Sequence, residues 1–297
     1  MLDSVESLMD EYISSLDSYS YKLYKLLPSG KRLRAKLILK IAKKSSDSIK
    51  LSAIVELIHA ASLLHDDVID DATTRRGVAS INAIYGNKSA IMLGDILYSK
   101  AFSELSSFES KIAKSISNAV TMLSVGELLD VELSKEFNSD LDLYMDMIYK
   151  KTAVLIEASA KSAALLSGKN PDSYAIYGKN LGLAFQIIDD ILDITQDSTK
   201  LGKPALNDFK EGKVTIPYIY LYQRLDESDK EFLRSLYKKE LSIDEQNWIK
   251  EKMSQYHVIE DTLSLARGLG EDALNAIKSD NDEVLIGIIK DMIEREF

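Results

Sequence analysis

Hydrophobic residues recur along this chain mostly at three- and four-residue spacing, which is typical of helices that bury one face. The pattern predicts helices over residues 2–17, 19–27, 31–44, 49–72, 89–107, 109–135, 140–167, 171–179 and 181–196, with charged amphipathic helices from residue 226 onward. Strand-like alternation is scarce. Pro28 and Gly30 supply an early break, and Gly86 supplies another. We therefore predict an all-α fold, in which long helices bundle into a single domain over residues 1–297.

Two of the predicted helices end in clusters of aspartate. Residues 54–76 read IVELIHAASLLHDDVIDDATTRR, and residues 183–197 read LAFQIIDDILDITQD. Asp66 and Asp70 lie one helical turn apart on one face, and Asp189 and Asp193 repeat that spacing. Like charges at this spacing destabilise a bare helix, so a cation is expected there.

The composition of these clusters indicates which cation they suit. Carboxylates without His or Cys partners favour hard ions that prefer oxygen, and Mg²⁺ usually takes one or two carboxylates together with water and phosphate oxygens. The two clusters are thus able to hold several Mg²⁺ around one diphosphate. The alternatives are a solvated acidic surface, which is the commoner role of a single cluster, and a carboxylate pair for acid–base catalysis.

Basic residues occur at four places that would suit a phosphate-binding protein. The first stands at the start of a predicted helix, where backbone N–H groups favour anions. The others follow the first acidic cluster, begin the apolar part of helix 140–167, and line the segment after the second cluster. In order, the residues are Lys31, Arg32 and Arg34; Arg75 and Arg76; Lys151; and Lys200, Lys203, Lys210 and Lys213.

His59 forms a Glu-x-x-His pair with Glu56, a motif that di-iron helical bundles carry on two helices. The chain has 3 histidines, and a serine stands at that spacing before each of the other two, so the second motif is missing. His59 also lies two helical turns before Asp66. It therefore serves either as a donor to an anionic substrate or as a core histidine, and spacing alone leaves both open.

Charge and composition exclude several other classes of protein. The net charge of −10 argues against a nucleic-acid surface, which needs an excess of Lys and Arg. The chain has no cysteine, so disulfides and thiolate chemistry are excluded. The N-terminal segment lacks the basic start and apolar run of a signal peptide. No run of about 18 uninterrupted apolar residues occurs. We expect a cytoplasmic protein without a membrane-spanning helix.

These motifs together resemble the trans-prenyltransferases of the polyprenyl synthetase family. The resemblance rests on Asp66-Asp67-Val68-Ile69-Asp70 followed by Arg75-Arg76-Gly77, and on Phe185-Gln186 before Asp189-Asp190-Ile191-Leu192-Asp193. It extends to Gly30-Lys31-Arg32-Leu33-Arg34, Gly94-Asp95-Ile96-Leu97, Lys151-Thr152, Gly202-Lys203 and Gly212-Lys213-Val214-Thr215-Ile216-Pro217. It implies an isoprenoid-synthase fold, with helices around a central cavity. Ser29, Ala35 and Leu206 depart from the family pattern, but none of them removes a charged group.

The resemblance also implies roles for individual residues, each carried over from the family. Asp66 and Asp70 would ligate two Mg²⁺ and Asp189 a third, with Mn²⁺ as a substitute, and the metal-binding residues would also include Asp67, Asp190 and Asp193. Isopentenyl diphosphate would bind Lys31, Arg34, His59 and Arg76. An allylic diphosphate such as farnesyl diphosphate would bind Arg75, Lys151, Thr152, Gln186, Lys203 and Lys213. Catalysis would rest on Asp66, Asp70, Asp189, Lys151 and Lys203.

Product length is expected to depend on the residues just before the first acidic cluster. In the family, bulky aromatic residues there stop growth at short chains, whereas this chain has Ala61 and Ser62, with Ile58 one turn further. Met122 and Leu123 on the next long helix are candidates for the tunnel floor. We expect a membrane-seeking product of about C30 to C45, with octaprenyl as the central value, made by a homodimer. The alternatives are a shorter-chain synthase, a non-catalytic partner subunit, and a class I terpene cyclase or head-to-head synthase.

Overall fold

The computed structural model describes residues 2–195, 206–280 and 282–293 of the chain. Helices account for most of these residues, so the all-α prediction is confirmed. The chain divides into two compact units, one of residues 1–120 with 158–175 and one of residues 121–157 with 176–297. The single domain expected from the sequence stays a prediction.

The helices largely follow the predicted segments. The N-terminal helices are α1 Leu2–Ser14, α2 Ser18–Tyr24, α3 Leu33–Ile41, α4 Ser46–Ile69, α5 Ile81–Tyr85, α6 Asn87–Leu105 and α7 Ser110–Leu133. The central part comprises α8 Leu141–Ile148, a π-helical turn Tyr149–Ala153, α9 Val154–Leu166 and α10 Pro171–Thr195. The remaining helices are α11 Asn207–Lys210, α12 Ile216–Arg224, α13 Glu227–Leu236, α14 Ile243–Gln255, α15 Val258–Ala276, a 3₁₀ turn Lys278–Asp280 and α16 Glu283–Ile293.

Helix α4 is the central helix of the first unit and contacts α1, α3 and α6. It begins with a capping box, in which Ser45 and Ser48 satisfy each other's backbone N–H groups. In length and hydropathy α4 would also suit a membrane-spanning segment, but 67% of the relevant window is buried inside the protein. The helix ends at Ile69, because Asp70 is its C-cap and Asp71 has a left-handed φ of 49°.

A short β-hairpin follows α4. Strand β1, Thr74–Arg75, pairs antiparallel with strand β2, Val78–Ala79. Arg76 and Gly77 form its turn with φ values of 52° and 77°, as a two-residue type I′ turn requires. The hairpin therefore fixes two arginines directly behind the first acidic cluster.

The central helices differ from the sequence prediction in two places. Residues 140–167 are predicted as one α-helix, but a π turn interrupts them between α8 and α9. Residues 171–179 and 181–196 are predicted as two helices, and this is wrong, because α10 runs unbroken from Pro171 to Thr195. Gly182 does not end α10; it lies where a neighbouring backbone approaches too closely for any side chain.

An aromatic group in the second unit fixes the segment that follows residue 205. Phe209 stacks on Tyr218 with ring centroids 4.3 Å apart. The Tyr237 hydroxyl lies 2.7 Å from the Gly212 carbonyl oxygen and 2.9 Å from that of Ser134, just beyond the end of α7. These contacts hold the backbone beside Lys213.

Candidate active site

A cationic cluster, defined here as Arg32, Arg34, Arg75, Arg76 and His59, forms in the first unit. The loop before α3, helix α4 and the hairpin bring it together. Burial first, and then the charges of the four arginines, lower the pKa of His59 well below its usual value, so the imidazole is neutral. Such a concentration of positive charge around a neutral donor favours an anionic ligand.

The packing around Arg34 and Arg76 supports this interpretation. Arg34 Nε is buried and has no hydrogen-bond partner among the described residues. A Cβ added to Gly30 would lie 2.8 Å from Arg76 Nη1, so the glycine leaves room for that guanidinium. A buried donor without a partner is costly, and an incoming phosphate oxygen would satisfy it. Lys31, predicted to share this role, is exposed beside the cluster.

Glu56 is a buried carboxylate next to the cationic cluster. Its Oε1 accepts a hydrogen bond from the backbone N–H of Ala35 at 2.9 Å, and its Oε2 lies 3.6 Å from Arg32 Nη1. Arg32, the N-cap of α3, has a left-handed backbone and makes no side-chain cap. Glu56 therefore caps α3 from the neighbouring helix and orients the arginines at its start.

The aspartates of the first acidic cluster have different environments. Asp67 is buried and its Oδ1 accepts a hydrogen bond from Arg75 Nε at 2.7 Å, while burial raises its pKa in spite of Arg75. Asp66 is half-buried and Asp70 is exposed at the end of α4. Two predicted site residues, Asp67 and Arg75, thus pair with each other, and Asp66 and Asp70 stay closer to solvent.

Lys151 lies in the π turn of the second unit, between two buried carboxylates on α7. Its Nζ is 3.0 Å from Glu127 Oε2 and also forms an ion pair with Asp130. Burial opposes the lysine charge, but Asp130 and Glu127 outweigh it, and the pKa of Lys151 is raised. The lysine is therefore held fully charged. Single-turn π bulges occur frequently at functional sites.

The second acidic cluster is mostly turned into the protein. Asp190 is 1% exposed, and it accepts hydrogen bonds from the Tyr144 hydroxyl at 2.6 Å and from Gln186 Nε2 at 3.1 Å. Burial raises the pKa of Asp190 to about 8. Asp193 is also buried, and its Oδ2 accepts the Asp208 backbone N–H at 3.2 Å. Asp189 is half-buried.

The predicted allylic-diphosphate residues of the second unit are partly brought together. Thr152 Oγ1 donates to Gln186 Oε1 at 2.9 Å. Lys213 is near enough to Lys151 for its charge to oppose the rise in the pKa of Lys151 without cancelling it. Lys213 also forms a 2.9 Å ion pair with Glu211. Lys203 lies outside the described residues.

The residues predicted to control product length lie at different depths. Ile58 and Ala61 are fully buried on α4, and the Ser62 hydroxyl donates to the His59 carbonyl at 2.9 Å. On α7, Leu123 is buried, whereas Met122 is 36% exposed.

The aspartates nearest to solvent are the ones that suit a divalent metal ion. No group of three or more His, Cys, Asp or Glu side chains converges within the described parts of the chain. Asp66 and Asp70 offer carboxylate oxygens near solvent, as Asp189 does on α10. This suits an ion such as Mg²⁺, which keeps water and completes its shell with phosphate oxygens of a substrate.

Sequence reasoning missed four residues of the candidate site: Glu56 as a cap, Glu127, Asp130 and Tyr144. Glu127 and Asp130 follow Gly126 at one and four positions in an apolar helix, and that pattern could have indicated an inward-facing acidic pair. Tyr144 gives no such signal.

Known proteins are similar to this chain over nearly its whole length. Solanesyl-diphosphate synthase 1, mitochondrial, of Oryza sativa subsp. japonica is 34% identical over 317 residues, covering 96% of this chain and 72% of that one. Octaprenyl pyrophosphate synthase from Helicobacter pylori has a crystal structure with a TM-score of 0.95 and 46% identity, covering 99% of this chain and 98% of that one. Polyprenyl synthase from Caulobacter crescentus CB15, complexed with calcium and isoprenyl diphosphate, has a TM-score of 0.91 and 30% identity over 100% of this chain and 95% of that one. The polyprenyl synthetase model matches residues 18–253, and the chain belongs to that family.

Proposed function

We propose that this protein is a long-chain trans-polyprenyl diphosphate synthase, which condenses isopentenyl diphosphate onto an allylic diphosphate. The observation that carries this proposal is the cationic cluster on α3, α4 and the hairpin. It offers a diphosphate a neutral His59 and an unpartnered Arg34 Nε, separately from the carboxylates of Asp66 and Asp70. A cyclase needs only one diphosphate, whereas this chain has groups for two.

The cationic cluster would hold isopentenyl diphosphate and position its double bond. Lys31, Arg34 and Arg76 supply positive charge, and the neutral His59 supplies an N–H donor to a phosphate oxygen. Holding both reactants in place turns an encounter into a unimolecular step. The allylic C–O bond breaks, the double bond of isopentenyl diphosphate attacks C1 of the allylic cation, and the released diphosphate takes the proton that is lost.

The second unit would bind the allylic diphosphate through Lys151, Thr152, Gln186 and Lys213, with Lys203 as a further predicted contact. Lys151 is charged before substrate arrives, because Asp130 and Glu127 raise its pKa. A cation that is already fixed beside the departing diphosphate stabilises the negative charge that develops there. The cation does not have to reorganise during the reaction.

Divalent ions complete the proposal. We infer Mg²⁺, replaceable by Mn²⁺, at Asp66 and Asp70 and at Asp189, three ions in all. When bound, these ions would neutralise the charge on the leaving diphosphate. The ion's preference for oxygen ligands supports this assignment, as does the solvent access of these three aspartates compared with Asp67 and Asp190.

Growth of a long product is supported by the residues one and two turns before Asp66. Ala61 and Ser62 are small, and Ile58 lies on the same buried helix. A product near octaprenyl, made from a primer such as farnesyl diphosphate, is the proposal. The shorter-chain alternative would need a bulky stop that these positions lack.

We further propose that the protein acts as a homodimer through α7. Four exposed apolar residues repeat at three-residue spacing along this helix, and Leu128 is 72% exposed. Several exposed apolar residues along one helix favour a protein interface. The series is Met122, Val125, Leu128 and Val131. Light scattering of the wild type and of L128E would test it, since L128E should shift the mass toward a monomer.

The cytoplasmic location expected above stays a prediction.

One assay tests the proposed reaction. The protein is incubated with radiolabelled isopentenyl diphosphate, farnesyl diphosphate and Mg²⁺, and the hydrolysed lipid is sized by reversed-phase chromatography. We expect a linear product of about C30 to C45. D66A and D189A should reduce turnover by orders of magnitude with an unchanged helical circular dichroism spectrum. A cyclic hydrocarbon, or no incorporation by folded wild-type protein, would contradict the proposal.

A further inference from the structure

A buried chain of hydrogen bonds connects α8, α10 and the π turn in the second unit. The Tyr144 hydroxyl donates to Asp190 Oδ2 at 2.6 Å, and Gln186 Nε2 donates to Asp190 Oδ1 at 3.1 Å. Thr152 Oγ1 in turn donates to Gln186 Oε1 at 2.9 Å. Both oxygens of Asp190 thus have partners within the protein.

The direction of this chain follows from the chemistry of its members. Oδ1 of Asp190 accepts, whether or not Oδ2 carries a proton. Gln186 must therefore turn its NH₂ group toward Asp190 and its carbonyl oxygen toward Thr152. The Thr152 hydroxyl hydrogen is then directed at Gln186. A single buried carboxyl group sets the orientation of both predicted substrate-binding side chains.

The surroundings of Asp190 differ from those of its neighbour Asp189. Asp190 is 1% exposed and Tyr144 is 5% exposed, whereas Asp189 is half-buried. Consecutive residues of an α-helix point about 100° apart, so the two carboxylates face different directions. Mg²⁺ keeps several waters, which needs a ligand near solvent.

We propose that Asp190 and Tyr144 are positioning residues for Thr152 and Gln186, and that Asp190 is not a magnesium ligand. The proposal rests on the proposed function, in which Thr152 and Gln186 bind the allylic diphosphate. The second acidic cluster therefore contains aspartates with two different roles. Asp189 would bind the metal ion, and Asp190 orients the side chains of Gln186 and Thr152.

Three variants test the proposal by steady-state kinetics and by calorimetric binding of farnesyl thiodiphosphate at varied Mg²⁺. Y144F should raise KM and Kd for the allylic compound about tenfold, the equivalent of one lost buried hydrogen bond. KM for isopentenyl diphosphate and the half-saturating Mg²⁺ concentration should stay within about twofold. D190N, in which an amide NH₂ would face Gln186 and force it to flip, should show the same pattern more strongly. D189N should instead raise the half-saturating Mg²⁺ about tenfold or more.

Y177F is the matched control. Tyr177 is buried in the same unit, and its hydroxyl donates to the Leu285 carbonyl at 2.9 Å, so its removal costs a comparable hydrogen bond away from Thr152. Y177F should leave both KM values unchanged. The proposal is overturned if Y144F behaves like Y177F, or if D190N shifts the Mg²⁺ requirement as D189N does. Should Y144F fail to fold, D190N and D189N decide the question. An inactive wild type that still binds the thiodiphosphate would count against the proposed function alone.

Discussion

The close approach of α7 to the π turn leads to a sharp prediction for G126A. A Cβ at Gly126 would lie 2.7 Å from the Lys150 carbonyl carbon and closer still to the Lys151 backbone nitrogen. Ordinary van der Waals contact begins at 3.4 Å, so the π turn would have to move by at least 0.7 Å, the difference between these two distances. The atoms in the way belong to the backbone and cannot rotate aside.

The expected effects on stability and on activity are very different in size. Overpacking costs about 1–3 kcal/mol, and replacing glycine by alanine inside a helix returns about 1 kcal/mol. The net loss of unfolding free energy is therefore expected to be about 0–2 kcal/mol. A displacement near 1 Å at a binding group can cost about 100-fold in rate. G126A should thus fold and lose most of its kcat/KM for the allylic substrate.

Two further glycine-to-alanine variants accompany this experiment, one with a similar clash and one without. Gly182 contacts the π turn from α10, where a Cβ would lie 2.6 Å from Ala153 Cα, so G182A should resemble G126A. Gly268 is exposed in α15 with nothing within 4 Å of an added Cβ. G268A should gain about 1 kcal/mol in urea denaturation and keep wild-type kinetics. If G126A keeps kcat/KM within about threefold of wild type, the reasoning about the π turn is refuted.

Three other predictions concern the first unit. A61F should shorten the product to about C15–C20 on reversed-phase chromatography, because the ring would fill the start of the proposed product tunnel, and an unchanged length would reject that tunnel. E56A should lower unfolding free energy by about 1–3 kcal/mol, since the Ala35 N–H loses its acceptor, whereas E56Q keeps an oxygen and should lose less; equal losses in urea would disprove the cap. Because burial and Arg34 lower the pKa of His59, its imidazole should stay neutral from pH 8 to 6. The unfolded chain gains a proton near pH 6.5, so His59 lowers stability below that pH. Proton NMR, assigned with H59Q, would contradict this if His59 titrated near 6.5.

The features that could be predicted from the sequence are those that depend on local spacing. The apolar period located α4 and α7 to within a few residues, and the aspartate spacing placed Asp66 and Asp70 one turn apart at the end of α4. The split of α10 at residue 180 was wrong, because the helix runs unbroken from Pro171 to Thr195. Packing explains the glycine next to the predicted break, since Gly182 lets the backbone of Ala153 approach the helix closely.

The remaining features depend on contacts between distant segments. Nothing near Lys151 in the sequence indicates that Glu127 and Asp130 would flank it, since they lie on another helix. The side chains of Asp66, Asp67, Asp189 and Asp190 look equivalent in two similar motifs. In the structure they differ in burial, because Asp67 and Asp190 are buried and Asp66 and Asp189 are half-buried. Glu56 was noticed only as half of a metal motif, because its real partner, the N-terminus of α3, comes from the tertiary packing.

The proposed capture of a diphosphate by the cationic cluster has a consequence, because the cluster belongs to a chain with a net charge of −10. Within about the Debye length, roughly 8 Å at physiological ionic strength, an approaching diphosphate meets the repulsive field of the chain's excess negative charge. The guanidinium groups dominate only at shorter range. Added salt first screens the repulsion between the diphosphate and the rest of the chain. It weakens the attraction of the half-buried guanidinium groups less. Entry of isopentenyl diphosphate should therefore tolerate moderate salt, unlike capture by proteins that steer anions with a broad positive surface.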